Sequence, residues 1–170
     1  NLNAINAGGS RPKGFEKYTT KKVGVLGAGM MGAGIAYVSA ISGIEVVLKD
    51  VSLEAAEKGK AYSEGLLKKR VSKGKMTKEK MEEVLSKIHA TDKPDFEGCD
   101  LIIEAVFEDR ALKAKVTQEA EAVMLPEGTF ASNTSTLPIT GLAQASARPK
   151  QFIGLHFFSP VDKMPLVEII

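Results

Sequence analysis

The sequence predicts an α/β protein: a doubly wound, mostly parallel sheet with helices on both faces and an antiparallel hairpin at its C-terminal end. Three observations predict it. Short apolar runs alternate with longer segments of helical periodicity, the pattern of repeated strand–helix–strand units. A glycine cluster, Gly27, Gly29 and Gly32, stands between the first such run and the first helix. The last two apolar runs lie too close together for a helical crossover.

The elements follow in order. Val23-Gly24-Val25-Leu26 is a short apolar run ending at glycine, as a strand buried on both faces requires. Residues 30–42 are small and apolar and read as a helix. Val46-Val47-Leu48 is the next strand. Ser52 is placed to cap a long charged helix reaching about Lys73. Thr77 caps another, in which Met81, Val84, Leu85 and Ile88 fall at helical spacing. Residues 101–106 form a strongly apolar strand. Residues 109–124 form a helix with Leu112, Val116, Ala120 and Val123 on one face. Residues 129–132, 153–158 and 166–170 complete the strands. Ser159 to Pro165 alone joins the last two. A parallel crossover needs about a dozen residues, so these two pair antiparallel.

The 170 residues suffice for one domain with a proper core, and 44% hydrophobic with 26% charged residues is ordinary for a globular chain. A net charge of +2 is too small to argue for nucleic acid. No apolar run approaches the length of a membrane span. Residues 1–20, with Gly8-Gly9-Ser10, Pro12 and Gly14, read as a linker or extended strap from an upstream region, and the folded domain as residues 21–170. The start carries neither an initiator Met nor a signal pattern, so a longer parent polypeptide is expected. Cys99 is the only cysteine, which excludes an internal disulfide and suits a reducing compartment. The expected location is a bacterial cytoplasm, or a mitochondrial matrix or peroxisome in a eukaryote. No His or Cys has an evident ligand partner, so no metal site is expected.

Gly27-Ala28-Gly29-Met30-Met31-Gly32 is a GxGxxG sequence between a strand and a helix. Gly27 permits the tight turn, Gly29 lets a pyrophosphate approach the backbone, and Gly32 lets the helix pack close to the strand. The helix N-terminus then offers free N–H groups and a favourable dipole to the diphosphate. The motif alone is weak, but Asp50 ends the next strand at about the 20-residue spacing that a Rossmann-type fold calls for. A carboxylate there accepts from the adenosine ribose hydroxyls and repels a 2′-phosphate, which favours NAD over NADP. The bland reading of Asp50 is a helix cap, and Lys49 beside it opposes the charge argument. Met30 and Met31 read as packing.

His156 and Glu168 lie on the two hairpin strands. If the loop is centred on Asp162 they face each other with Cβ atoms ~5 Å apart, whereas a one-residue slip puts them on opposite faces. Oxidation of a secondary alcohol needs a base for the hydroxyl proton, a task suited to His. A carboxylate shielded from water fixes the imidazole's tautomer and stabilises the imidazolium. The bland alternative is a core histidine and a rim charge. Ser132-Asn133-Thr134-Ser135 follows a strand and so reaches the carboxyl edge, where open α/β sheets bind ligands. Glu108 and Lys113 reach the same edge. Each reads equally as a cap or a solvated charge. Lys68, Lys69, Arg70 and Lys73 form a basic helix tip that either holds coenzyme A phosphates or is a solvated face.

These stretches together resemble the L-3-hydroxyacyl-CoA dehydrogenase family over about residues 21–170. The matching segments are Gly-Ala-Gly-Met-Met-Gly-Ala-Gly-Ile-Ala (27–36), Ile-Glu-Ala-Val-Phe-Glu-Asp (103–109), Ala-Ser-Asn-Thr-Ser (131–135) and His-Phe-Phe-Ser-Pro-Val-Asp-Lys-Met-Pro-Leu-Val-Glu-Ile (156–169). The Asp-Lys-Met form of the last is similar to the multifunctional alpha subunits of fatty-acid β-oxidation. The resemblance implies oxidation of (3S)-hydroxyacyl-CoA to 3-ketoacyl-CoA, with NAD taking the hydride. It implies His156 as base, Glu168 as its partner and Ser135 at the substrate hydroxyl. It implies NAD contacts at Met31, Asp50, Val106, Phe107, Glu108, Lys113 and Ser135, beside the glycines. Position 159, often Asn in the family, is Ser159 here. An upstream enoyl-CoA hydratase region, a downstream helical domain that completes the acyl pocket, and a thiolase partner are also implied. Residues 1–20 would be the connector, and this chain alone would turn over weakly or not at all. Two other readings stay open: an NAD-dependent dehydrogenase of a short hydroxy acid or sugar acid, and a non-catalytic NAD-binding module.

Overall fold

β1 (Lys22–Leu26) is buried on both faces, with Val23, Val25 and Leu26 each 3% exposed or less, so helices must cover it front and back. The computed structural model, which describes residues 2–170, supplies those layers. The chain runs through α1 (Leu2–Asn6), β1, α2 (Met30–Ile41), β2 (Glu45–Lys49), α3 (Leu53–Ser72), α4 (Lys78–Ser86) and β3 (Ile88–Thr91). It continues through β4 (Leu101–Glu104), α5 (Arg110–Glu121), β5 (Thr129–Ser132), α6 (Ile139–Ala143), β6 (Phe152–Phe157) and β7 (Val167–Ile169). Seven strands lie in the order β3-β2-β1-β4-β5-β6-β7. The first five pairings are parallel and β6–β7 is antiparallel. The expected doubly wound sheet with a terminal hairpin is therefore present.

Two apolar cores form, one on each face. Val23, Val25, Val46 and Leu48 point to one face and meet Ile35 and Ala36 of α2, Leu67 of α3 and Val84 of α4. Leu26, Val47, Ile102 and Phe130 point to the other and meet Val116 and Ala120 of α5 and Leu142 of α6. Phe130 stacks on Phe152 of the next strand with ring centroids 5.4 Å apart. Burying each large aliphatic side chain contributes about 1.5–3 kcal/mol. Cys99 lies in the second core, and burial pushes its thiol up to about 12.

The capping residues act as read from the sequence. Ser52 Oγ accepts from Ala55 N–H and Thr77 Oγ1 from Lys80 N–H, each at 3.2 Å. Three readings need correction. Ile88 is not the last turn of a helix. α4 stops at Ser86, and Ile88 opens β3, paired with Val46 and 1% exposed. No glycine or proline marks this change of period, so the helical spacing ran on past its end. Residues 2–20 are not wholly extended, since Leu2–Asn6 is a short helix, although the segment stays exposed as far as Phe15 and beyond. Asn1 lies outside the described residues. The strand from Leu101 ends at Glu104, where Ala105 N–H turns to donate to Leu26 O at 2.7 Å.

α2 sits close against β1 because Gly32 has no side chain. A Cβ there would lie 1.7 Å from the carbonyl oxygen of Gly27. Gly32→Ala is therefore expected to lower stability by about 3 kcal/mol or more, since backbone and not a mobile side chain must move. Thermal unfolding checks it, and an unchanged melting temperature would refute the close-approach argument.

Candidate active site

The strand order reverses between β1 and β4, so their carboxyl ends open a crevice where open α/β sheets take ligands. The glycine loop, Asp50, residues 104–113, residues 132–135 and the end of β6 all arrive at that edge. Gly27 follows β1 with φ +93°, a value that favours glycine, and an added Cβ would strike Ala105 O at 2.7 Å. At Gly29 an added Cβ would meet nothing within 4 Å, which leaves the loop open to a ligand. No side chain among the described residues caps the N-terminus of α2. Its free N–H groups and dipole suit a diphosphate.

Asp50 follows β2 and does more than wait for a ribose. Its Oδ2 accepts from Ala28 N–H at 2.8 Å and its Oδ1 from Val51 N–H at 2.7 Å, so the carboxylate braces the glycine loop. Lone pairs remain on both oxygens for ribose hydroxyls. A crevice of about 470 Å³ runs past Gly29, Met30, Asp50, Val51 and Phe107. Met30 is 69% exposed there, which corrects the reading of it as packing; Met31 does pack on the core and also faces the crevice. Phe107 is 87% exposed. The open loop, the bare helix end and the acid together fit a dinucleotide.

The crevice continues into a second cavity of about 320 Å³, lined by Met31, Val106, Glu108, Lys113, Asn133, Ser135, His156 and Ser159 among others. Here the hairpin register matches the expectation: His156 opposes Glu168, and His156 Nδ1 lies 2.9 Å from Glu168 Oε2. The carboxylate can only accept, so Nδ1 carries the proton and Nε2 is left as an acceptor. Glu168 is half exposed, not shielded as expected, because β7 is the edge of the sheet. The ring of His156 also leans on Phe158, centroids 4.8 Å apart. Ser159 Oγ donates to Met30 Sδ at 3.8 Å and so spans from β6 to the first turn of α2.

Sequence reasoning named Glu108, Lys113 and residues 132–135 but missed Glu104 and the contacts that join these groups. Asn133 Oδ1 accepts from Phe157 N–H at 2.9 Å and holds the backbone next to His156. Glu104, 1% exposed, accepts from Lys113 Nζ at 2.6 Å, Val106 N–H at 2.8 Å and Ser132 Oγ at 2.7 Å. Lys113 is itself 2% exposed and lies 3.7 Å from Glu108. Glu108 accepts from Thr134 Oγ1 at 2.6 Å and Thr136 Oγ1 at 3.1 Å, hydroxyls that flank Ser135. Glu104 sits inside an apolar strand, and a buried acid there is itself a signal of a partner. Lys68, Lys69 and Lys73 are not brought into either cavity. They lie at the C-terminal end of α3, where Lys68 pairs with Glu64.

Burial opposes ionisation of Glu108, but hydrogen bonds from Thr134, Thr136 and the Ser135 backbone, with the Lys113 charge, hold its carboxyl below the usual range. A lowered folded value adds stability that is complete above the ordinary 4.5 and is lost as pH falls through the lower value. Thr134→Val removes a donor to Glu108 and leaves Leu137 N–H unpaired. It should lower stability by about 1–3 kcal/mol at neutral pH. The gap in melting temperature from wild type should narrow below pH 4.5. A gap that widens on acidification would contradict the assigned hydrogen bonds.

Comparison with known proteins agrees with this geometry. The family model described as 3-hydroxyacyl-CoA dehydrogenase, NAD binding domain, matches residues 22–170. A probable 3-hydroxybutyryl-CoA dehydrogenase of Deinococcus radiodurans is 49% identical over 150 residues, 88% of this chain and 54% of that protein. A fatty acid oxidation complex subunit alpha of Idiomarina loihiensis is 45% identical over 164 residues, 94% of this chain and 23% of that protein. Among solved structures, the (S)-3-hydroxybutyryl-CoA dehydrogenase of Ralstonia eutropha superposes with a TM-score of 0.84 at 38% identity, covering 89% of this chain and 54% of that one. The chain thus spans about half the length of the single-activity relatives and a smaller share of the alpha subunit.

Proposed function

The chain belongs to the family of 3-hydroxyacyl-CoA dehydrogenase NAD-binding domains, and from that membership we propose that it serves the oxidation of (3S)-hydroxyacyl-CoA to 3-ketoacyl-CoA. The observation that carries the reading is the His156–Glu168 pair, 2.9 Å apart, on the wall of the cavity into which the dinucleotide crevice runs. Gly27 and Gly29 with the bare end of α2 would hold the diphosphate, Gly32 lets the helix come close enough to do so, and Asp50 would take the adenosine ribose. Met31, Val106, Phe107, Glu108, Lys113, Ser135 and Ser159 border the rest of the cofactor.

NAD, when bound, supplies the acceptor for the hydride that leaves the substrate's C3. His156 Nε2 takes the proton from the C3 hydroxyl as the C–O bond becomes a carbonyl. Glu168 holds the ring through Nδ1–H and offsets the positive charge that the ring gains. Ser135 hydrogen-bonds the same oxygen and fixes its direction toward Nε2.

The parent polypeptide, on this reading, carries an enoyl-CoA hydratase region ahead of residues 1–20 and a helical domain after residue 170, and associates with a thiolase subunit. The match to a fatty acid oxidation complex subunit alpha supports this. It covers 94% of the chain, which takes in part of residues 1–20. A cytoplasmic or, in a eukaryote, mitochondrial or peroxisomal location goes with that pathway.

His156→Ala, made in the protein that contains this chain, should leave NAD affinity within about twofold by calorimetry. Its oxidation of 3-hydroxyacyl-CoA should fall about 10²–10⁴-fold. Glu168→Gln should also lower turnover, because an amide can donate as well as accept and no longer fixes the ring proton on Nδ1, besides losing the charge. Full turnover by His156→Ala would remove the proposed base.

A further inference from the structure

We infer that Glu104 is a positioning residue for cofactor binding: it holds the Lys113 ammonium at the cavity wall with one N–H donor turned to the bound dinucleotide. The inference rests on the reading of the groove as the NAD site and names a residue that touches no cofactor itself.

Glu104 is the last residue of β4 and is almost wholly buried. Burying an ion pair is costly, and water-excluded carboxylates occur where geometry is fully satisfied. Here it is. Both oxygens are used, from three different elements: Lys113 Nζ of α5, the Val106 N–H just beyond β4, and Ser132 Oγ of β5. Lys113 Nζ gives a second N–H to Val106 O at 3.2 Å. An ammonium has three donors. Two are taken inside the protein, and the third is left on the side where Lys113 lines the cavity with Ser135 and His156. A lysine on a flexible stem would otherwise sample many rotamers and lose that freedom on binding. Held from behind, that cost is met by folding.

The charge matters as well as the position. The titratable groups around the ammonium are Glu104 on β4, Glu108 on the β4–α5 connection at 3.7 Å, and His156 across the cavity on β6. Asp109 and Arg110 at the start of its own helix are exposed. Glu108 is engaged by two threonine hydroxyls and is 40% exposed, so it is the weaker counter-ion. Without the Glu104 charge, the 2% exposed ammonium keeps only the Glu108 carboxylate, 3.7 Å away and 40% exposed, against the cost of burial.

The test is NAD affinity by calorimetry at several pH values for wild type, Glu104→Gln and Glu104→Asp, with folding of each checked by circular dichroism. Wild type should show a flat profile from about pH 7 to 9. Glu104→Gln should bind about tenfold more weakly at pH 7 and lose affinity further up to pH 9. Glu104→Asp keeps the counter-ion but draws it back by one methylene, so it should fold, bind more weakly than wild type and keep the flat profile. Wild-type affinity in Glu104→Asp would overturn the positioning role even if Glu104→Gln fails to fold. A folded Glu104→Gln with a flat profile would overturn the electrostatic part. A wild-type chain that binds no NAD would instead overturn the reading of the groove on which the inference stands.

Discussion

The site depends on how closely a helix can approach a strand. The Gly27 carbonyl oxygen occupies the space that any side chain at position 32 would need. With glycine there, the first turn of α2 rests on the end of β1. Its N–H groups then stand over the crevice at the strand-order reversal. Asp50 secures the other side of the loop by accepting from Ala28 N–H. The phosphate-binding geometry is thus produced by backbone packing, and the side chains around it only hold the loop in place.

The same edge of the sheet gathers the charged groups. β4, β5 and β6 end side by side, and the residues just past their ends must satisfy buried polar atoms without water. The chain solves this with a connected set: Ser132, Glu104, Lys113, Glu108 and the Thr134 and Thr136 hydroxyls. Such a set is rigid because removal of any member strands another. Ser135 sits within it, between two hydroxyls pinned to Glu108, and Asn133 ties the next strand beside His156. The wall of the cavity is therefore held in place by its own hydrogen bonds and ion pairs.

The hairpin carries a different demand. His156 and Glu168 sit on an edge strand pair with no strand beyond β7 among the described residues, so their contact is short but half open to water. Apolar side chains cluster on this same rim, including Leu166, Ile169 and Ile170, all largely exposed. The glycine-loop end of the crevice is thus built within the sheet, whereas the His156–Glu168 pair lies at its margin.

Much of this was legible in the sequence, for definite reasons. Glycine spacing, apolar runs and caps at Ser52 and Thr77 act over a few residues, so they survive without knowledge of the fold. Centring the short hairpin connection on Asp162 paired His156 with Glu168 in advance, and the register found is that one. What the sequence could not decide was long-range. Ile88 kept the helical period of its neighbours, and only pairing with Val46 made it a strand. Glu104 lies nine residues from Lys113 and 28 from Ser132, and the three meet because β4 and β5 end where α5 begins. Whether a charge is buried or solvated depends on which elements pack above it, and that is a property of the assembled layers, not of any local run of residues.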